Sequence, residues 1–361
     1  MAGSALGSPR HASRARGACS NAVGRYEALT RERFDDGWGS EEPPLPLRTT
    51  HTPDASRTVL SFNRSPDVPF DRSINPYRGC EHGCVYCYAR PSHAWLGLSP
   101  GLDFESRLFY KPQAAERLRA ELARPNYRCA PIALGTNTDP YQPLERRLGI
   151  TRSLLETLAA CNHPLTITTK SWLIERDVDL LADLAQRRLC RVAISVTTLD
   201  RSLARALEPR AAAPERRLRT IAGLRAAGIP VTVLVAPLIP ALNDAELEGI
   251  LERARGAGAG NANFILLRLP GEVGPLFEEW LQSHFPDRAR HVLGLVRDSH
   301  GGQLYDARFG RRMRGAGAVA ALIARRFDLA CRRLEFGEPP GLDCTAFRAP
   351  RGTANPQLSL F

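Results

Sequence analysis

Lysine is almost missing from this chain. Of 49 basic side chains in 361 residues, only Lys111 and Lys170 are lysines and the other 47 are arginines. So high an arginine count says little about any one arginine, whereas a lysine at a defined place is a departure from the default cation. Long apolar runs are missing too. The first thirty residues, MAGSALGSPRHASRARGACSNAVGRYEALT, hold no stretch of signal-peptide length, and nothing later approaches a membrane span. The expectation from these absences is no membrane partner and a cytoplasmic compartment. The nine cysteines, six of them scattered singly, are too sparse for a disulfide-stapled secreted domain. No further Cys-x2-Cys pairs occur late in the chain, which argues against auxiliary clusters.

The remaining three cysteines stand together. Cys80, Cys84 and Cys87 lie in GCEHGCVYCYAR, a Cys-x3-Cys-x2-Cys run with Tyr86 before the last thiol and no fourth thiol in the run. Closed zinc sites take four donors and iron–sulfur clusters are usually held by four thiolates, so three leave one metal open to an outside ligand. A zinc knuckle with His82 as fourth donor is the competing reading. The net charge of +11 suits a polyanionic partner such as DNA or another nucleic acid, and equally keeps a protein soluble.

With Cys80, Cys84, Tyr86 and Cys87 the chain resembles the radical SAM superfamily. The resemblance implies a [4Fe–4S] cluster on these three cysteines, S-adenosylmethionine on the free iron, and reductive cleavage to methionine and a 5′-deoxyadenosyl radical. An electron donor such as flavodoxin or ferredoxin follows as a partner. The fold implied is α/β, a partial (β/α)6 TIM-type barrel.

The hydrophobic pattern agrees. Apolar runs SINPY, PIALGT, LTITT, CRVAISVT, VTVLVA and NFILLRL alternate with helix-like segments at Pro112–Ala123, Arg146–Ala160, Glu175–Gln186, Pro214–Ala227 and Asp244–Ala254. The expected organisation is an irregular, partly disordered extension over 1–60, the barrel over 61–275, a helical region over 276–350 and a tail over 351–361.

Barrel sites lie at the carboxyl ends of strands. Thr136, Asn137 and Asp139 follow the second expected strand; they read as turn residues or, through the resemblance, as ligands of the S-adenosylmethionine amino group. Lys170 ends TITTK, which resembles the third strand end of spore photolyase-like proteins and implies a contact to the cofactor carboxylate or ribose. Ser195 is a strand-end hydroxyl or a ribose donor. Glu208 and Arg210, in LEPR, form a surface ion pair or a cofactor anchor. Tyr86 belongs to the cysteine motif, and Tyr88, after the third cysteine, is core filler or a catalytic radical relay. Spore photolyase uses a cysteine near the end of strand two, and GTNTDPYQPLE has none, so its particular repair reaction does not carry over. DNA repair, radical modification of RNA or protein, and a zinc-stabilised nucleic-acid-binding module all remain readings of the sequence.

Two terminal segments stand apart. RGACSNAVGRYE and DSHGGQLYDARFGRRMRGAG look unlike generic linkers. The final residues Gln357, Leu358, Ser359, Leu360 and Phe361 match a peptide by which bacterial DNA-processing proteins engage the replication sliding clamp. Two apolar anchors and an orienting glutamine suit pocket recognition of that kind.

Overall fold

Alternation along the strands decides which side chains line the core. In a computed structural model describing residues 16–27 and 47–350, LTITT buries Leu165, Ile167 and Thr169 and leaves Thr166 and Thr168 half-exposed. VTVLVAPL repeats the pattern over Val231–Leu238. The β-branched residues that dominate these runs suit a pleated wall covered by helices.

The strands in chain order are β1 Thr50–Pro53, β2 Leu60–Phe62, β3 Arg72–Ile74, β4 Tyr77–Arg78, β5 Arg107–Tyr110, β6 Ile132–Leu134, β7 Leu165–Thr169, β8 Cys190–Ser195, β9 Val231–Leu238 and β10 Asn261–Leu266. Seven make one sheet in the order β10-β9-β8-β7-β6-β3-β2. Six of these are parallel, β3 through β10, and β2 pairs antiparallel with β3. This is the expected six-unit partial barrel with an added edge strand. A small sheet, β1-β5-β4, was not expected from the pattern. It puts β1 into regular pairing within the region assigned to an irregular extension.

Two expected helices are divided. The segment from Arg146 breaks at Gly149, whose φ of 64° ends Glu145–Leu148 and starts Ile150–Ala160. The segment from Glu175 begins as a 3-10 turn, Trp172–Asp177, capped by the Ser171 hydroxyl on the Leu173 amide, and continues as Val178–Gln186.

Three later helices, Val273–His284, Pro286–Asp298 and Gly317–Arg333, form the helical region. The first two build a second core around the fully buried Trp280, with Phe277, Leu281, Val292 and Val296, and this core also contains Cys84, Val85 and Tyr86. The cysteine loop is therefore packed from behind by the C-terminal helices.

An open sheet leaves a gap between its edges. Residues 299–316 span it: the Leu266 amide on β10 donates to the Met313 carbonyl at 3.0 Å, while the Gly310 amide and the Arg312 guanidinium reach Asp67, between β2 and β3.

The N-terminal residues 16–27 have no regular secondary structure but are not loose. Gly17 and Ala18 amides donate to the buried Glu105 carboxylate at 3.0 and 2.8 Å, and Ala18 and Cys19 are buried. A Cβ on Gly17 would collide with the Gly83 carbonyl, so this strap lies directly on the cysteine loop.

Candidate active site

The cysteine loop takes its shape from two glycines and one buried arginine. Gly79 and Gly83 have φ of 74° and 69°, and a Cβ at either would come within 2.7 Å of Phe104 O or Glu105 Oε2. Arg90, fully buried, donates to the carbonyls of Cys84 at 2.9 Å and Gly83 at 3.3 Å and pairs with Glu105. The Cys80 amide donates to Phe104 O at 2.9 Å. One cation thus gathers carbonyls that would otherwise be unsatisfied, and Glu105 compensates its charge.

Cys80 and Cys84 are buried, Cys87 is half-exposed, and none is in a disulfide. Burial pushes the Cys84 thiol up to about 12 against the opposing charge of Lys170. Burial also raises Cys80 well above the ordinary thiol range, helped by Asp139, Cys84 and Cys87. The three sulfurs therefore feel one another, and loading them with iron must displace protons. Among the described residues no group of three His, Cys, Asp or Glu side chains is arranged to hold a single metal ion. His82, the alternative fourth donor, has its Nδ1 3.3 Å from Asp139 instead. Three free thiols on one short loop, at the carboxyl ends of barrel strands, are a donor set that fits a [4Fe–4S] cluster with one iron left open.

The loop is bolted to the barrel from two sides. Tyr86 donates its phenol proton to Glu208, which also accepts from Thr197 Oγ1 at 2.6 Å and pairs with Arg217. Burial alone would raise the Glu208 carboxyl; Arg217 and Lys170 outweigh it and hold the group at about 2. Arg217 reaches on to Ser195 O and Ala212 O. The Val85 amide donates to Leu207 O at 3.1 Å, and Arg210 pairs with Glu81 at 3.2 Å while its amide donates to His82 O. Glu208 and Arg210 are thus not paired with each other, and each holds the cysteine loop.

On the other side, Asp139 is a hub. Its oxygens accept from Thr169 Oγ1 at 2.7 Å and from the amides of Tyr141 and Lys170 at 2.8 Å. Burial pushes its carboxyl up, but the His82 ring and these donors bring it down to about 2. Gln142 braces the loop, accepting from the Glu81 amide at 3.0 Å and donating to Gly79 O at 3.2 Å. Asn75, just past β3, shapes the polar turn: its Oδ1 accepts from the Asn137 amide at 2.9 Å and its Nδ2 donates to Thr136 Oγ1 at 3.3 Å.

Lys170 is the cation of the site. Its Nζ sits 5.8 Å from the Tyr86 ring centre. Burial opposes its charge, yet Cys84 and Glu208 raise it above the usual lysine range. Ser195 is buried and spends its hydroxyl on Ala236 O at 3.2 Å. Tyr88 is 45% exposed, donates to Thr136 O across the mouth, and lies under the Arg268 guanidinium at 4.2 Å.

The structure therefore brings Cys80, Cys84, Cys87, Tyr86, Tyr88, Thr136, Asn137, Asp139, Lys170, Ser195, Glu208 and Arg210 to one end of the barrel. Gln357, Leu358, Leu360 and Phe361 lie outside the described residues. Sequence reasoning missed Asn75, Gln142, Arg90, Arg217 and Arg268. Arg268 lies just past β10 as Lys170 lies just past β7, and a cation following an apolar run was the available signal.

Comparison with known proteins agrees with this geometry. Residues 74–254 match the family model of the Radical SAM superfamily. An uncharacterized protein of Mycobacterium tuberculosis is 40% identical over 242 residues, covering 66% of this chain and 71% of that protein. An uncharacterized protein of Methanocaldococcus jannaschii is 27% identical over 173 residues, 48% of this chain and 62% of its own length. Among solved structures, spore photoproduct lyase complexed with dinucleoside spore photoproduct superposes with a TM-score of 0.57 at 14% identity, covering 79% of each chain. A variant of that lyase with bound AdoMet and the same dinucleoside gives 0.54 at 16% identity, covering 79% of this chain and 78% of that one. At these identities the structures share the fold.

Proposed function

The chain belongs to the radical SAM superfamily and is a radical SAM enzyme, and on that footing we propose that it acts on nucleic acid, with DNA the favoured substrate. The observation that carries the reading is the placement of three free thiols near Lys170 at the mouth of a barrel where the Arg268 guanidinium lies against the exposed Tyr88. In this reading Cys80, Cys84 and Cys87 hold a [4Fe–4S] cluster and S-adenosylmethionine takes the open iron. When bound, the pair supplies reductive cleavage to methionine and a 5′-deoxyadenosyl radical, with the electron coming from a flavodoxin- or ferredoxin-type donor.

The protein's share is position and charge. Lys170, protonated and half-buried, would hold the cofactor carboxylate. Thr136 and Asn137 would meet the methionine end, and Asp139 fixes that turn by tying it to Thr169 and to His82 on the cysteine loop. Ser195 and Glu208 act through the wall: the first satisfies Ala236, the second keeps Tyr86 against the strands. Tyr88, whose phenol donates to Thr136 O at the β6 end and whose ring meets Arg268 beyond β10, would relay a hydrogen atom. No cysteine follows β6 to take that role, and Cys190 begins β8 at the opposite end of the barrel. The C-terminal Gln357, Leu358, Leu360 and Phe361 would recruit the sliding clamp and with it place the enzyme at cytoplasmic DNA. The test is anaerobic reduction of the reconstituted enzyme with S-adenosylmethionine, with deoxyadenosine measured by chromatography with and without DNA, RNA or protein extract. Stimulation by DNA supports the reading; stimulation by protein alone overturns its substrate.

A further inference from the structure

Most arginines around the site are neutralised by carboxylates: Arg90 by Glu105, Arg176 by Glu145 and Asp177, Arg217 by Glu208, Arg210 by Glu81. Two are not. Arg268, just past β10, and Arg146, in the short helix Glu145–Leu148 that follows the polar turn, make no ion pair among the described residues. Each instead lies on an aromatic ring. Arg268 stacks on Tyr88 at 4.2 Å, and Arg146 on Trp172 at 5.4 Å. Trp172 stands two residues beyond Lys170, is 38% exposed, and carries a second guanidinium, Arg216, at 4.9 Å. Arg216 is held in turn by Glu175 at 2.6 Å.

A guanidinium held against a ring and not committed to a carboxylate keeps N–H groups that can donate to a phosphate oxygen. Exposed aromatic rings partnered with cations are also what single-stranded nucleic acid meets on its binding surfaces, backbone on the charges and bases on the rings. We infer that Tyr88–Arg268 and Arg146–Trp172–Arg216 are two stations of a grip for an unpaired nucleic-acid strand laid across the barrel mouth. This deepens the nucleic-acid reading given above and rests on it.

The preference for an unpaired strand follows from where Tyr88 sits. It adjoins Cys87 at the mouth, and a base that stacks on its ring must leave the duplex stack, at a cost in free energy that an unpaired base does not carry. Trp172, whose ring is flanked by guanidiniums, serves the backbone on the outer rim.

The test is fluorescence anisotropy of the anaerobically reconstituted full chain. Probes are a labelled twelve-nucleotide oligodeoxythymidine, the same strand in duplex, and polyglutamate as a protein-like polyanion. The single strand is expected to bind at least tenfold tighter than the duplex. Trp172→Ala, Arg146→Glu and Arg268→Ala should each weaken it about tenfold, and loss of a phosphate contact should flatten the salt dependence by somewhat under one per guanidinium. Arg146→Lys should recover only part, since charge returns without the plane. Iron content and thermal midpoint show whether each variant is folded, and Arg146, exposed on the surface, keeps the test open should Trp172→Ala not fold. Unchanged binding in folded Arg146→Glu and Arg268→Ala would overturn the grip while leaving a nucleic-acid substrate possible elsewhere on the surface. Equal binding of polyglutamate, unaffected by Trp172→Ala, would reduce it to bulk charge and overturn it too. Absence of oligonucleotide binding by an enzyme that still yields deoxyadenosine would sink both the grip and the nucleic-acid substrate, but not the radical chemistry.

Discussion

Glu208 holds the phenol of Tyr86, and with it the residue immediately before the third cysteine is fixed to the barrel wall. The same carboxylate compensates Arg217, whose side chain is equally buried. One acid therefore couples the wall beneath β8 to the loop that carries the thiols.

Removing that acid leaves a buried guanidinium without its counter-charge. Glu208→Ala is expected to cost about 3–5 kcal/mol, read as a lower denaturation midpoint. The pH dependence carries a sign. A carboxyl near 4.5 when unfolded and about 2 when folded contributes stability that is complete above 4.5 and is lost as pH falls towards 2. Acid titration of the iron-free protein should therefore show a shallower loss over that window in Glu208→Gln than in the parent. Equal slopes would mean that the pair is not formed.

Cys84→Ala should abolish iron reconstitution, because one iron then lacks its anionic ligand. Cys331→Ala and Cys344→Ala should leave iron content and visible absorbance unchanged. A late cysteine that proved essential to the spectrum would refute the three-thiol site.

Lys170→Ala should weaken S-adenosylmethionine binding by roughly ten- to a hundredfold, as loss of a charged hydrogen bond does, with iron content near normal. Ser195→Ala should change affinity little, since its hydroxyl is committed to Ala236. Asp139→Asn is expected to act on both measures, by loosening the turn and the His82 contact together. Calorimetric titration of the reconstituted protein reads all three.

Gly17→Ala should leave the cluster assembled but make it bleach several-fold faster in air, because a methyl group there forces the N-terminal strap off Gly83. Stopped-flow absorbance after mixing with oxygenated buffer measures the rate, and an unchanged rate would mean that the strap does not shield the loop.

Deleting Gln357–Phe361 should remove clamp binding without altering iron content or thermal midpoint. Two apolar anchors contribute on the order of 3–6 kcal/mol before ordering costs, enough for roughly micromolar contact. A truncated chain that still binds the clamp would place the contact elsewhere.

The parallel wall was legible because each core strand is a continuous apolar run between helical periods, and the thiol site because its spacing is local. What stayed hidden depended on distance. Glu208 was singled out with Arg210, two residues away, but the helix Pro214–Ala226 brings Arg217 back to it and frees Arg210 for Glu81. Asn75 looked like strand because SINPY reads as one run; β3 ends at Ile74, and Asn75 becomes the organiser of a turn sixty residues on. The strap at 16–27 has no periodicity to betray order, since its amides are satisfied by a glutamate some ninety residues later.

The segment 299–316 also bears on the open edge of the sheet. β10 ends the row of parallel strands, and an edge of that kind offers unpaired amides to any passing chain. Here the Leu266 amide is given to Met313, and Arg314 lies over the Phe264 ring at 4.1 Å with a hydrogen bond to Asn263 at 2.8 Å. A bulky charged side chain thus sits where a neighbouring strand would dock. The segment therefore covers the β10 edge, and a chain cut before residue 299 would leave the Leu266 amide and the Phe264 ring without these partners.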